Sequence, residues 1–353
     1  MARIAVAGTA HAHVGYIFRE LAGSPDLQLV GVADGSLDSA KQWAAPFGAP
    51  VFADYRQMLA DTRPDIVAVA SIYGERGPVV LDALAAGCDV VADKPLCTTL
   101  DHLDQISSAA ARAQKNVTIL FEKRYYPETL AALELVRGGG LGTVVAVSAF
   151  GPHKLNRPDR PEWFLQRDTY GGILNDLTVH DIDLGLVFTG ATSGTVAGAV
   201  AGSLADQPGF SLHGRTSIDT PQQVLTLEAN WLTPDASPVH GDYQMRIVGT
   251  EGTAEIFWAR HQVQVTTRSE PAFTLRLPPG HRPAELALRA LAGGEIPDIT
   301  TGDSLLATRL ALLAQRSADA GTGPASWSAD GAADGAADGT VNELKKRPSH
   351  PLP

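Results

Sequence analysis

Along the first third of the chain, short runs that are apolar at nearly every position alternate with segments whose apolar residues recur at helical spacing. The runs RIAVAG, LQLVGVAD, DIVAVAS, DVVADKP and NVTILFEKR are rich in β-branched residues and lack a polar face, as strands covered on both sides do. Between them, AHVGYIFRELAGS, LDSAKQWAAPFG, GPVVLDALAAG and TTLDHLDQISSAAARAQK read as helices, several closed by glycine. This alternation predicts βαβ units with right-handed crossovers, and so a doubly wound parallel sheet. After Tyr126 the pattern changes. PETLAALELVRGG reads as a linking helix. TVVAVSAFGP, TSGTVAGAVAG, QQVLTLEANWL, DYQMRIVGT, GTAEIFWA and HQVQVTTR then alternate in the manner of a largely antiparallel sheet, with GTEGT as a hairpin turn. DSLLATRLALLAQRSADAG predicts a closing helix, with Asp303 or Ser304 placed to cap it. From Gly321 onward the Ala-Asp-Gly repeat has little to bury, and disorder is expected over 321–353.

Composition narrows the function classes. The 353 residues suffice for two domains with proper cores, and 44% hydrophobic with 19% charged residues fits a globular enzyme. A formal net charge of −11 argues against a nucleic-acid partner, whose phosphates need excess Lys and Arg. Cys88 and Cys97 form no disulfide framework. No leader-like segment opens the chain and no stretch approaches a membrane span, so a cytoplasmic location without a membrane partner is expected.

Three motifs carry chemistry. In GTAHAHVG, Gly8 closes the first strand and a helix follows, the geometry that points backbone N–H groups at a pyrophosphate. Ala10 and His13 stand where a dinucleotide fingerprint has its second and third glycines. His11 and His13 also form an H-x-H pair, a spacing found at metal centres of (β/α)₈ hydrolases. Such centres need further ligands at later strand ends, and the second half does not alternate βα, so no metal is assigned. Asp34, at the end of the second strand, lies where a carboxylate holds ribose hydroxyls and repels a 2′-phosphate, favouring NAD over NADP. The second motif, ADKPL, sets Lys94 at the carboxyl edge of the sheet. The third, GGILNDLTVHDIDL, places Asp176 and His180 four apart, on one face if helical, with the Asp able to orient the imidazole as a general base. Each motif alone also has a structural reading, as a helix cap, a surface lysine or a surface pair.

In this order and spacing, DKPL, EKRYYP, GGILNDLTVHDIDL and MRIVGTEGTAEI together resemble the Gfo/Idh/MocA family of oxidoreductases. DKPL is similar to that family's E-K-P motif, with Asp93 in place of Glu. The resemblance implies an N-terminal Rossmann domain (1–122) and a C-terminal α/β domain with an open, mostly antiparallel sheet (123–320). It implies hydride transfer between a hydroxyl carbon of a sugar, cyclitol or polyol and bound NAD, with Lys94, Asp176 and His180 as catalytic residues. His180 would take the hydroxyl proton, Lys94 would stabilise the alkoxide, and Asp176 would orient His180 or hold substrate. Gly8, Thr9, Ala10, His11, His13, Asp34, Ser71 and Lys94 are the expected cofactor contacts. One of the two loop histidines is a candidate donor to phosphate. Arg124, Tyr125, His153, Lys154, Asn156, Trp163 and Asn175 are candidates for the substrate wall. The shorter Asp93 is expected to change how Lys94 is held. A homo-oligomer, dimer or tetramer, is expected. The competing readings are a redox-neutral, NAD-using glycoside-cleaving enzyme of the same fold and a non-catalytic NAD-binding sensor.

Overall fold

The computed structural model describes residues 1–329. The first sheet contains β1 (Ala2–Ala7), β2 (Leu27–Ala33), β3 (Val51–Phe52), β4 (Ile66–Val69), β5 (Asp89–Ala92) and β6 (Val117–Ile119). Its order is β3-β2-β1-β4-β5-β6 and every pairing is parallel. The order reverses between β1 and β4, which opens a crevice at the carboxyl ends of the strands. Ile4, Val6, Val32, Val67 and Val90 are fully buried because helices cover both faces. That double cover is why these strands read as continuous apolar runs. β3 is too short, at two residues, to register as a periodic pattern.

The second sheet runs β14-β13-β12-β11-β7-β10-β9-β8-β15. Its strands are β7 (Val144–Pro152), β8 (Ser193–Leu204), β9 (Gln207–Asp219), β10 (Val224–Asn230), β11 (Gln244–Gly249), β12 (Gly252–Phe257), β13 (Gln262–Thr267), β14 (Phe273–Thr274) and β15 (Ala325–Ser328). Only β7 and β10 pair in parallel. The long strand β9 is not apparent from the sequence pattern because its inward positions include Gly214 and Thr216. A Cβ on Gly214 would stand 2.5 Å from Leu174 Cδ2, so the close approach of the neighbouring helical segment forbids the apolar side chain that would reveal the strand.

The helix Thr301–Ala320 joins the two sheets. Thr301 Oγ1 accepts from Val117 N and Ser304 Oγ from Ile119 N, so hydroxyls of this helix satisfy the free edge of β6. The cap expected at Asp303 or Ser304 is instead Thr300, with Asp303 as its partner three residues on in a capping box. Ala284, Leu288 and Leu291 pack with Ile4 and Val6, so part of the later chain returns to cover the first sheet. The disorder expected from Gly321 is corrected over Ala325–Ser328. This segment pairs antiparallel with β8 and buries Trp327, one indole outweighing a poor local composition. Residues 330–353, the rest of that expectation, lie outside the described residues.

Candidate active site

The crevice begins at Gly8. Its φ of +89° and the approach of Ser71 (a Cβ would lie 2.3 Å from Ser71 Cα) admit only glycine. Gly8 N donates to Ala33 O and Ala10 N to Ala70 O, which ties the loop to the ends of β2 and β4. Asp34 accepts from Thr9 N at 2.6 Å, Thr9 Oγ1 at 2.9 Å and Ser36 N at 2.7 Å. A carboxylate has about four lone-pair sites, so these three donors leave it acceptor capacity. A cavity of ≈ 750 Å³ opens here, lined by Gly8, Thr9, Ala10, Asp34, Ser36, Ser71, Glu75 and Trp163 among others. Ser71 Oγ is buried without a partner among the described residues, a polar atom available to a ligand. Asp34 and Glu75 both line this end of the cavity and make it acidic, and burial and then the charge of Asp34 push the Glu75 carboxyl upward.

His11 and His13 turn toward Asp93. Their Nδ1 atoms lie 2.9 Å from Asp93 Oδ2 and Oδ1, respectively. Burial brings the His11 imidazole down to about 4 against the opposing pull of Asp93. Asp93 also takes the buried Arg76 guanidinium at 2.9 Å. The Lys94 side chain turns to Asp176 and not to Asp93. Asp93 instead gathers the two histidines and Arg76.

Lys94 Nζ donates to Asp176 Oδ1 at 2.7 Å, with Asp176 fully buried. Burial pushes the Asp176 carboxyl up, but the Lys94 ammonium outweighs it and the net displacement is downward. The expected Asp176–His180 pairing does not form. Leu174–Thr178 is wound as a π-helix before the α-helix Val179–Thr189, and this wider winding removes the i, i+4 alignment. His180 instead sets Nε2 3.5 Å from Glu122 Oε1, while its Nδ1 is buried with no partner among the described residues. Burial, then the charges of Lys94 and Lys123, hold its imidazole well below the usual histidine value. The glycines that open this segment are sterically required. A Cβ on Gly171 (φ +84°) would meet Thr98 Cγ2 at 2.5 Å, and one on Gly172 (φ +99°) would meet the Gln315 amide at 2.4 Å.

The substrate-wall candidates separate into two groups. Lys123 pairs with Asp181 at 2.8 Å, Arg124 forks onto Asp183 at 2.7 and 2.6 Å, and Tyr125 donates to Asp298 at 2.8 Å. Arg124 and Tyr125 thus tie Glu122–Tyr125 to the helix Val179–Thr189 and to the bend at Asp298. Lys154 is likewise spent on the carbonyls of Asp235 and Ser237. Asn156 adopts a left-handed conformation (φ +47°) at the start of a short turn. Trp163 packs edge-on to Tyr73 and lines the cavity at Gly8. His153 and Asn175 stay close to Lys94 and Asp176. His153 is near enough to Lys123 and Lys94 for their charges to add to burial in depressing its imidazole. Asn175 Nδ2 donates to Cys97 O while its Oδ1 is left without a partner among the described residues. Glu122 and Arg76 went unassigned in the sequence. Glu122 lies within the recognisable EKRYYP, whereas nothing local marks Arg76.

Residues 2–121 match the profile described as the oxidoreductase family, NAD-binding Rossmann fold, and residues 129–255 match the GFO/IDH/MocA C-terminal domain. The chain is 31% identical over 169 residues to D-glucoside 3-dehydrogenase of Escherichia coli, an alignment spanning 47% of this chain and about half (47%) of that enzyme. It is 25% identical to scyllo-inositol 2-dehydrogenase (NAD(+)) of Bacillus subtilis over 67% of this chain and 68% of the other. A Thermotoga maritima protein assigned to the oxidoreductases superposes with a TM-score of 0.83 at 26% identity, covering 91% of this chain and 98% of that one. Among the described residues, no helix is long and apolar enough to cross a membrane.

Proposed function

The chain belongs to the Gfo/Idh/MocA family of NAD-binding oxidoreductases, and from that premise we propose that it transfers hydride between a hydroxyl-bearing carbon of a sugar, cyclitol or related polyol and the nicotinamide. The observation that carries the reading is the cluster beside the dinucleotide cavity. An ammonium (Lys94) is neutralised by a buried carboxylate (Asp176), and an imidazole kept neutral (His180) lies within range of that charge. The cavity fits the family's cofactor. Asp34 keeps acceptor capacity for a ribose hydroxyl, Ser71 offers an unpartnered hydroxyl, and Gly8 lets the backbone approach closely. Asp34 and Glu75 together make the ribose end hostile to a 2′-phosphate, so NAD is preferred to NADP.

Bound there, the cofactor supplies the hydride acceptor. His180 accepts the hydroxyl proton at Nδ1, the ring atom left without a partner, while Glu122 faces Nε2 and favours the tautomer with its proton on that side. Lys94 donates to the substrate oxygen and stabilises its developing negative charge. Asp176 holds Lys94 in place, and Asn175 Oδ1 can accept from a further hydroxyl. The exposed apolar residues Val145, Phe150 and Val224 of the second sheet support a homo-oligomer.

The test is a screen of polyols and aldoses for NAD reduction by wild type and by His180→Ala. Turnover by wild type, with a loss of about 10²–10⁴-fold in a variant that still binds NADH, supports the assignment. Full turnover in the folded variant refutes it.

A further inference from the structure

The H-x-H pair of the opening loop has no task in the proposed reaction, yet its geometry is that of a ligand set. His11 Nδ1 and His13 Nδ1 each lie 2.9 Å from one oxygen of Asp93. One donor atom from each of the three residues falls within 4.8 Å of the others. The two rings stand nearly perpendicular, at 81°, with centroids 4.2 Å apart. A tetrahedral cation with bonds of about 2.0–2.1 Å spaces its ligand atoms by roughly 3.3 Å, so small side-chain adjustments would admit one.

The surroundings resemble the support that a metal centre requires. Arg76 is completely buried and donates Nη2 to Asp93 Oδ2, Nη1 to the carbonyls of Asp93 and Pro95, and Nε to the carbonyl of Ser71. Three bonds to carbonyls hold the guanidinium, and the fourth fixes the carboxylate from behind, as outer partners of metal ligands do. Tyr16 stacks on the His13 ring at 5.0 Å, and Tyr73 meets His11 edge-on at 5.7 Å. The Asp93 side chain is 1% exposed, whereas His11 and His13 keep 13% and 21%, so the accessible side of the triad is the histidine side. The loop also gives up two glycines of a dinucleotide fingerprint, one of them to His13.

The geometry points to a site for a divalent transition-metal cation of the zinc class, held by His11, His13 and Asp93 with at least one coordination position left for an oxygen donor. Two imidazoles and one carboxylate suit zinc or cobalt and not magnesium or calcium, which require oxygen ligands. The site adjoins Lys94 in sequence and space, so an oxygen bound to the cation would lie beside the proposed reaction centre.

The experiment uses untagged full-length protein freed of metal by chelator dialysis, with neither nucleotide nor sugar present, so its outcome is independent of the proposed hydride transfer. Zn²⁺ is titrated by calorimetry with Mg²⁺ as control, and Co²⁺ is titrated by visible absorption. The expected result is one Zn²⁺ per chain, no comparable heat from Mg²⁺, and a Co²⁺ spectrum typical of low-coordinate nitrogen and oxygen ligation. His11→Asn/His13→Asn should weaken Zn²⁺ binding by roughly a hundredfold or more while the protein still melts cooperatively. Should that variant fail to fold, the wild-type Co²⁺ spectrum still decides. A Co²⁺ spectrum unchanged from the aquo ion, a Zn²⁺ stoichiometry far below one, or unchanged affinity in the folded double variant overturns the proposal. Asp93 would then serve only as a hydrogen-bond partner of the two rings.

Discussion

Replacing Lys94 by methionine keeps most of the side chain's length and removes its charge. The pair it breaks is buried on both sides, 7% exposed for Lys94 and 0% for Asp176, so little water is at hand to take over. Removing one partner of such a pair costs about 3–5 kcal/mol, because the other charge stays buried and uncompensated. That is a large share of the roughly 5–15 kcal/mol that holds a domain folded. Asp176→Asn should cost a similar amount through the stranded ammonium. The double variant removes both charges, so its cost should fall short of the sum of the single costs by about 2 kcal/mol or more. Equilibrium urea unfolding of the four proteins closes the cycle. Acidification supplies an independent sign. In wild type Lys94 holds the Asp176 carboxyl below its ordinary value, so the stability it contributes is present at neutral pH and fades as pH falls through the folded-state value. In Lys94→Met that pull is gone and burial alone pushes the carboxyl above the unfolded value of about 3.9. The folded variant then binds the extra proton first and gains stability as pH falls toward that value. The stability gap between wild type and variant must therefore narrow on acidification. Additivity within about 0.5 kcal/mol, or a gap that widens with acid, refutes the account of this pair.

Other consequences follow from the same geometry. His180 is neutral well below the ordinary histidine value, so the acid limb of kcat/KM should fall clearly below pH 6.5; a limb at or above 6.5 in the pH–rate profile contradicts the assignment of base. Asp34→Ser removes the carboxylate from the ribose end of the cavity and should narrow the preference for NADH over NADPH about tenfold or more, read by paired nucleotide titrations. Gly8→Ala places a methyl 2.3 Å from Ser71 Cα at a φ of +89°, and should cost several kcal/mol or abolish NADH binding, measured by melting and by titration.

The parallel sheet was legible because its strands are covered on both faces and therefore lack a polar face, a pattern that survives in the sequence alone. β9 was hidden for the opposite reason: Gly214 and Thr216 occupy inward positions where the segment at Leu174 comes too near for larger side chains. Trp327 anchors a strand that its low-complexity neighbourhood conceals. At the site, spacing and resemblance selected Lys94, Asp176 and His180, and the fold gathers them in one buried cluster. The pairings were not legible. They depend on the π-winding of Leu174–Thr178, which turns Asp176 to Lys94, and on Glu122 arriving from a distant segment to face His180. Arg124 looked like a pocket residue because it stands at the domain junction. Only the position of Asp183 shows that its charge is already used.

An acidic-ended dinucleotide cavity beside the Lys94–His180 cluster is the basis of the proposed reaction. Its most direct test is to titrate nucleotide-stripped protein with NADH and NADPH in parallel, following tryptophan fluorescence, to which Trp163 on the cavity wall contributes. Saturable binding of one NADH per chain, with NADPH weaker by about tenfold or more, is the predicted result. Failure of either nucleotide to bind, or equal affinity for both, would contradict it.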